Sequence, residues 1–223
     1  MTELEAMEAR CSIRKYSDKN LEEDIVRKIE NELEICNAKS GLHMQLIVNK
    51  PKAFDSLFAH YGGFRNARNY IALVGKDNER LEELCGYYGE HMVLFLQQLG
   101  LGTCWVGGTF NKKKTDYICN EGEKFCLLIA LGYSDQEGRK HKSKSIAQVA
   151  EVNGEAPKWF MDGVKAALLA PTAINQQKFH FRLRSDDKVE LTAFKGPFSI
   201  VDLGIVKYHF EVGVKRKDIW VKG

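Results

Sequence analysis

Residues 170–181, near the end of the chain, constrain its fold more than any other stretch, and they read APTAINQQKFHF. The residues before them repeat apolar side chains at helical spacing, and Pro171 predicts the end of that helix because proline cannot donate the i to i−4 hydrogen bond. Apolar and polar residues then alternate, with the period of a half-buried strand. Thr172 and Asn175 therefore fall in a tight turn between a helix and a strand. Such a turn either caps the helix or presents its polar groups to a ligand.

The composition indicates a globular protein of 223 residues, 44% hydrophobic and 28% charged, large enough for one substantial core or two small halves that share one. No apolar run approaches the roughly 20 residues of a membrane span, and the acidic start lacks the features of a signal peptide. A net charge of +3 and short lysine clusters do not favour nucleic-acid binding. We expect a cytoplasmic protein without a membrane or nucleic-acid partner.

The six cysteines are widely spaced, with no CxxC pair and no matching histidine spacing for zinc. They are expected to be reduced thiols, several of them in the core. No metal site is expected.

A basic segment stands close to the start of the chain, where residues 10–16 read RCSIRKY. Arg10, Ser12 and Arg14 are two residues apart, so in an extended segment they share one face. Two guanidinium groups and a hydroxyl suit a phosphate dianion, because arginine offers planar pairs of donors. On chemistry alone, an exposed basic strand explains the pattern equally well.

A glycine-rich segment, residues 100–108, reads GLGTCWVGG. It is not a dinucleotide-binding fingerprint, because Trp105 stands where GxGxxG requires glycine. A glycine at the end of a helix explains Gly100. Gly107 and Gly108 are left without an explanation of that kind.

Together these segments resemble the FMN-dependent nitroreductase family. Residues 10–16 match the R-x-S-x-R-x-[FY] signature, and residues 100–108 are similar to G-L-G-T-x-W-[IL]-G-G. Residues 170–181 resemble A-P-[ST]-x-x-N-x-Q-P-W-x-F, with Lys178 and Phe179 in place of the usual Pro-Trp. In that family the last motif lies near the N-terminus, whereas here it opens the last quarter of the chain.

An internal duplication explains this displacement. From residue 152 the chain repeats the order helix, strand, strand, helix, strand, with the last two elements predicted at about 200–213 and 217–222. The arginine signature occurs only in the first half, and the Pro-Thr-Asn loop only in the second. The chain is therefore identified as a nitroreductase with an internally duplicated, dimer-like fold, its halves 1–151 and 152–223 packed as one unit. The implied fold is α+β, a tandem repeat of mixed or antiparallel sheets flanked by helices, for which a monomer is possible.

The resemblance also implies an FMN site. On this basis the phosphate segment supplies Arg10, Cys11, Ser12 and Arg14, a basic pair (Lys142, Lys144) closes it, Asn66, Gly107 and Gly108 approach the ring, and Pro171, Thr172 and Asn175 cover it. Taken alone, Asn66 is equally well explained as a turn residue, and the basic pair is better explained as a solvated loop.

The implied activity is hydride transfer from NADH or NADPH through FMN to a nitroaromatic, a quinone or a similar flat acceptor. No catalytic side chain is expected. An alternative is a flavin-binding carrier or redox sensor without turnover, which Lys178 in the covering loop keeps open. A further alternative is other FMN chemistry, such as reductive dehalogenation or flavin ring cleavage.

Overall fold

The computed structural model describes residues 1–55, 57, 61–134, 136, 138, 142–152 and 154–221. These residues belong to two compact units. The larger unit comprises Ala9–Leu81 and His91–Lys140, and the smaller unit comprises Met1–Glu8, Glu82–Glu90 and His141–Gly223. These two units differ from the predicted halves 1–151 and 152–223. Two early segments, Met1–Glu8 and Glu82–Glu90, belong to the smaller unit, and the last segment of that unit begins at His141. The internal duplication stays a prediction.

The described helices and strands follow one another in a mixed order. In chain order they are α1 (Glu3–Ala9), α2 (Glu23–Ser40), β1 (Gln45–Ile47), β2 (Asn69–Lys76), α3 (Leu81–Gln98), β3 (Gly102–Val106), β4 (Glu123–Gly132), α4 (Ile146–Val149), β5 (Ala150–Val152), α5 (Lys158–Ala167), β6 (Phe179–Leu183), β7 (Val189–Ala193) and α6 (Ser199–Val214). Among these residues, no helix is long and apolar enough to cross a membrane.

The larger unit is built on a four-stranded antiparallel sheet in the order β1-β2-β4-β3. Strand β2 is buried from Asn69 to Gly75, which agrees with its continuous apolar sequence, typical of a strand covered on both faces. A core cluster on this sheet includes Ile13, Tyr16 and Cys104. The basic segment of the sequence is therefore anchored at two positions in the core.

The smaller unit contains a three-stranded sheet in the order β5-β6-β7. Strands β5 and β6 run parallel, whereas β6 and β7 run antiparallel. This sheet is mixed and the other is antiparallel, so the predicted α+β class with flanking helices is confirmed.

Two predicted boundaries in this part of the chain were wrong. The helix expected at 158–170, before Pro171, ends at Ala167. The next residues form tight turns in which Leu169 N–H donates to Ala166 O at 3.0 Å. A last turn often tightens in this way to satisfy carbonyls at a helix end. The final strand is reduced to an isolated parallel bridge between Trp220 and Val189, and residue 222 of that prediction lies outside the described residues.

Helices α3 and α6 cross at two glycines within the smaller unit. A Cβ on Gly86 would lie 2.0 Å from Val201 O, and a Cβ on Gly204 would lie 2.1 Å from Glu83 O. Any side chain at either position would collide with helix backbone. This crossing explains why 82–90 belongs to the smaller unit.

Candidate functional site

The basic segment of the larger unit extends the sheet at its β3 edge. Ser12 forms a parallel bridge with Thr103, and Ile13 N–H donates to Thr103 O at 2.8 Å. Because side chains alternate in extended backbone, Ile13 points into the core while Ser12 and Arg14 stay exposed.

The three polar side chains of this segment act electrostatically on one buried thiol, that of Cys104. Burial raises the pKa of Cys104, while the guanidinium groups of Arg14 and Arg10 and a hydrogen bond with Ser12 act in the opposite direction. Arg10, Ser12 and Arg14 thus all act on the same thiol, which places them in one neighbourhood. We call these three residues the basic face.

Two buried polar atoms, one in the basic segment and one in the neighbouring strand, lack a hydrogen-bond partner among the described residues. Arg10 is 7% exposed, and neither its Nε nor Thr103 Oγ1 finds a hydrogen-bond partner in the described part of the chain. A buried donor that is left unpaired costs about 1–3 kcal/mol, and more when it is charged. A bound anion would satisfy the guanidinium, so these residues fit a phosphate group.

Cys11 belongs to a different environment from its neighbours. A Cβ on Gly138 would lie 1.7 Å from Cys11 Sγ and 3.4 Å from the end of Ile13. The thiol therefore packs on Gly138 beside Ile13. The geometry gives its side chain no part in the basic face, and its place among the cofactor contacts stays a prediction.

Asn66 lies in a turn with a left-handed backbone, φ +54°, and its Nδ2 donates to Tyr16 O at 3.2 Å. This bond ties the turn to the end of the basic segment. Asn66 also lines a cavity of about 740 Å³ together with Lys15, Arg65 and Phe64. The side chain thus stabilises the turn and also lines a cavity. The structure is compatible with Asn66 as a turn residue and with Asn66 as a cofactor contact.

Gly107 and Gly108 follow β3 directly. A Cβ on Gly108 would meet no heavy atom within 4 Å among the described residues, and the residue is exposed. Neither crowding nor a left-handed backbone requires glycine there. Close approach of a ligand to the backbone would explain it.

In the smaller unit, the predicted basic pair and the predicted covering loop are joined by Gln177. This side chain is 3% exposed, and its Nε2 donates to Lys142 O at 2.8 Å while its Oε1 accepts from Lys144 N–H at 2.8 Å. Lys144 Nζ in turn donates to Gln177 O at 2.7 Å. The two segments therefore form one structural element, although 33 residues separate Lys144 from Gln177.

The polar side chains of the covering loop are engaged within this element. Asn175 Nδ2 donates to Lys142 O at 3.0 Å, and its Oδ1 accepts from Gln177 Nε2 at 2.9 Å. Thr172 Oγ1 accepts from Gln177 N–H at 3.0 Å, while Pro171 is half-buried. Ile174, which is 88% exposed, adopts φ +48°. A β-branched residue with a left-handed backbone is strained, and such strain clusters at functional sites.

Asp202, which sequence reasoning missed, fastens the loop to α6. Its carboxylate accepts from Ala173 N–H at 2.9 Å and from Gln176 Nε2 at 2.7 Å. Burial raises the pKa of Asp202 to about 6, although both hydrogen bonds act in the opposite direction. The only signal in the sequence is an acidic residue within the apolar run SIVDLGIV.

Several solved structures that superpose on this chain are described as nitroreductases. A putative nitroreductase from Thermotoga maritima superposes with a TM-score of 0.66 at 23% identity, over 96% of this chain and 83% of its own. A putative nitroreductase from Desulfovibrio desulfuricans, solved in complex with FMN, gives 0.51 at 21% identity, over 70% and 98%. A putative NADH dehydrogenase/NAD(P)H nitroreductase from Bacteroides thetaiotaomicron gives 0.52 at 19% identity, over 66% and 95%. The chain thus has the nitroreductase fold.

A family model identifies a specific family among the proteins with this fold. The model described as "Putative TM nitroreductase" matches residues 3–214, so the chain belongs to that family. None of the curated proteins compared with the chain matches it.

Proposed function

We propose that the chain is an FMN-dependent oxidoreductase that takes hydride from NADH or NADPH and reduces a nitroaromatic, a quinone or a similar flat acceptor. Membership of the nitroreductase family supports the class of reaction, and the Desulfovibrio structure with FMN supports the cofactor. The observation that carries the proposal is the buried Nε of Arg10, which has no hydrogen-bond partner among the described residues.

Arg10, Ser12 and Arg14 would hold the FMN phosphate. Arginine suits this task because its planar guanidinium pairs with two phosphate oxygens at once and keeps its charge at any physiological pH. Ser12 adds a hydroxyl donor. Ile13 and Tyr16, both buried in the core, hold the backbone between these side chains in place, so the donors are preorganised.

When bound, FMN supplies the hydride chemistry, and the protein supplies binding, orientation and electrostatics. Gly107 and Gly108 would let the backbone approach the ring. The remaining contacts, from Asn66, Lys142, Lys144, Pro171, Thr172 and Asn175, are part of the same proposal. Thr172 and Asn175 would exchange or share loop hydrogen bonds to take part.

The visible spectrum and redox cycle of the purified chain test this function. We expect a yellow protein that NADH or NADPH bleaches within seconds under anaerobic conditions, and that a quinone or nitro acceptor reoxidises. A flavin that is reduced only by dithionite would instead support a carrier or redox sensor. A flavin spectrum that does not return when air is admitted to the reduced protein would support ring cleavage, with O₂ as the oxidant. A chain that binds no FMN would contradict the proposal.

A further inference from the structure

Three potential metal ligands meet where helices α2 and α3 pack in the larger unit. The ligand atoms of Glu32, Cys36 and His91 all lie within 4.8 Å of one another. Glu32 and Cys36 stand one helical turn apart on α2, a spacing that places both side chains on the same face. His91 reaches them from α3, where its Nε2 lies 2.6 Å from Glu32 Oε1.

The separations are close to those of a coordinated ion. Zinc binds imidazole nitrogen and carboxylate oxygen at about 2.0–2.2 Å and thiolate at about 2.3 Å, so the ligands of a tetrahedral site are about 3.3–3.8 Å apart. The present separations run from 2.6 Å between Nε2 and Oε1 to at most 4.8 Å. The ligand atoms would therefore have to shift by roughly 1 Å to surround one ion.

The ligand atoms of the cluster indicate which metal it would bind. A thiol and an imidazole favour zinc over magnesium or calcium, which prefer oxygen ligands. Met92 Sδ lies 3.9 Å from Cys36 Sγ, where it accepts the hydrogen bond of the thiol.

The exposure of the cluster leaves a coordination position open. Cys36 is 2% exposed, whereas the side chains of His91 and Glu32 keep 27% and 21% exposure. An ion held by the three side chains would lie at the edge of the core, within reach of solvent. Three protein ligands and a water are the arrangement of zinc sites that keep an open position.

We propose that Glu32, Cys36 and His91 form a zinc site that links α2 to α3. Zinc binding would stabilise the larger unit because the ion binds the folded cluster and not the separated ligands of the unfolded chain. The site involves none of the residues assigned to FMN, so the two proposals can fail independently.

Metal binding to the full-length chain, purified without a histidine tag and reduced with a phosphine, tests the site. We expect about one Zn²⁺ per chain in competition with a chromophoric chelator, and a higher melting temperature with Zn²⁺ but not with Mg²⁺. Co²⁺ should give the visible bands of a tetrahedral ion and a thiolate-to-cobalt charge-transfer band. Absence of stoichiometric zinc binding would overturn the proposal.

Variants assign the ligands. Cys36→Ser and His91→Gln should each weaken zinc binding at least about tenfold, since even an outer-shell partner typically contributes 10–100-fold. The charge-transfer band should disappear in Cys36→Ser. Cys119→Ser, at an exposed cysteine of the same unit, is the matched control and should bind zinc like the wild type. If Cys36→Ser does not fold, His91→Gln decides alone, and wild-type zinc affinity in that variant would refute the cluster.

Discussion

Among single residues, Arg10 places a positive charge in a buried position. Arg10 is buried although its Nε has no partner in the described part of the chain. A charge in that position is costly unless a counter-ion is present. Binding of a phosphate would therefore relieve a cost that the free chain carries.

Arg14→Ala tests this face directly. We expect FMN affinity to fall about 10- to 150-fold, because a charge-assisted hydrogen bond contributes about 1.5–3 kcal/mol. Fluorescence titration of the flavin measures the dissociation constant. Arg27→Ala, at an exposed arginine of α2, removes the same charge and should leave the affinity unchanged. Equal affinities in the wild type and Arg14→Ala would exclude Arg14 from the site.

Asn175→Gly tests whether an amide of the covering loop also serves the cofactor. Glycine accepts the left-handed backbone at φ +54°, so the variant removes the side chain without adding backbone strain. We expect a stability loss of about 1–2 kcal/mol from the two lost hydrogen bonds, together with weaker flavin retention or an altered reduction rate. A lower melting temperature with unchanged flavin affinity and reduction rate would show that Asn175 serves the loop alone.

At the scale of elements, the covering loop depends on α6. Asp202 holds two consecutive parts of the loop, at Ala173 and Gln176. Its position in the first turn of the helix favours the ionised form, because the helix N-terminus carries a partial positive charge, but burial acts against ionisation and the pKa is raised.

The raised pKa of Asp202 predicts a pH dependence of stability. Since burial raises the pKa from 3.8 to about 6 in the folded chain, folding favours the protonated acid. This contribution is complete below pH 4 and is lost as pH rises to about 6. The free energy of unfolding of the wild type should therefore fall relative to Asp202→Asn over this window, by about 3 kcal/mol in total. Urea unfolding of both chains from pH 4 to 7 measures the difference, and a constant difference would contradict the assignment.

The crossing of α3 and α6 predicts a severe effect of one methyl group. Gly204→Ala should destabilise the chain by at least about 2 kcal/mol, because overpacking against backbone outweighs the roughly 1 kcal/mol that alanine gains in a helix. Gly108→Ala in the FMN-free chain is the control and should change the free energy of unfolding by less than about 0.5 kcal/mol, since nothing in the described chain crowds that position. Equal unfolding midpoints for the two variants would mean that the helices separate at little cost.

At the scale of the whole molecule, each predicted set of cofactor contacts occurs once. The R-x-S-x-R signature is present only in the first half and the Pro-Thr-Asn loop only in the second. A nitroreductase dimer of identical complete subunits would carry both sets in every chain and form two equivalent sites.

We therefore expect one FMN per chain, bound without a second chain. Flavin released by heat and quantified against protein should give a ratio near one. Light scattering should give the mass of a monomer for the species that carries the flavin absorbance. A ratio near two would show a second intact site. Flavin that is lost on dilution to monomer would show that a neighbouring chain contributes contacts.

Local sequence patterns predicted most of the helices and strands and the extended basic segment. In residues 10–16, basic side chains spaced two apart predict an extended, positively charged segment. In β2, a continuous apolar run predicts a buried strand. Both patterns can be read because they depend on neighbours a few residues apart. The same local patterns misplaced the end of α5 and the strand at 217–222, since the last turn of a helix and an isolated bridge leave no periodic signal.

Tertiary structure alone decided which distant residues meet. Asp202 and the loop at Ala173, the helix crossing at Gly86 and Gly204, and the ligand cluster of Glu32, Cys36 and His91 all join residues from different elements. The spacing rules that argued against a zinc motif apply to ligands close together in the chain. They cannot detect ligands that packing brings together across 55 residues or more, because a contact between two helices is fixed by their buried faces and not by separation in sequence.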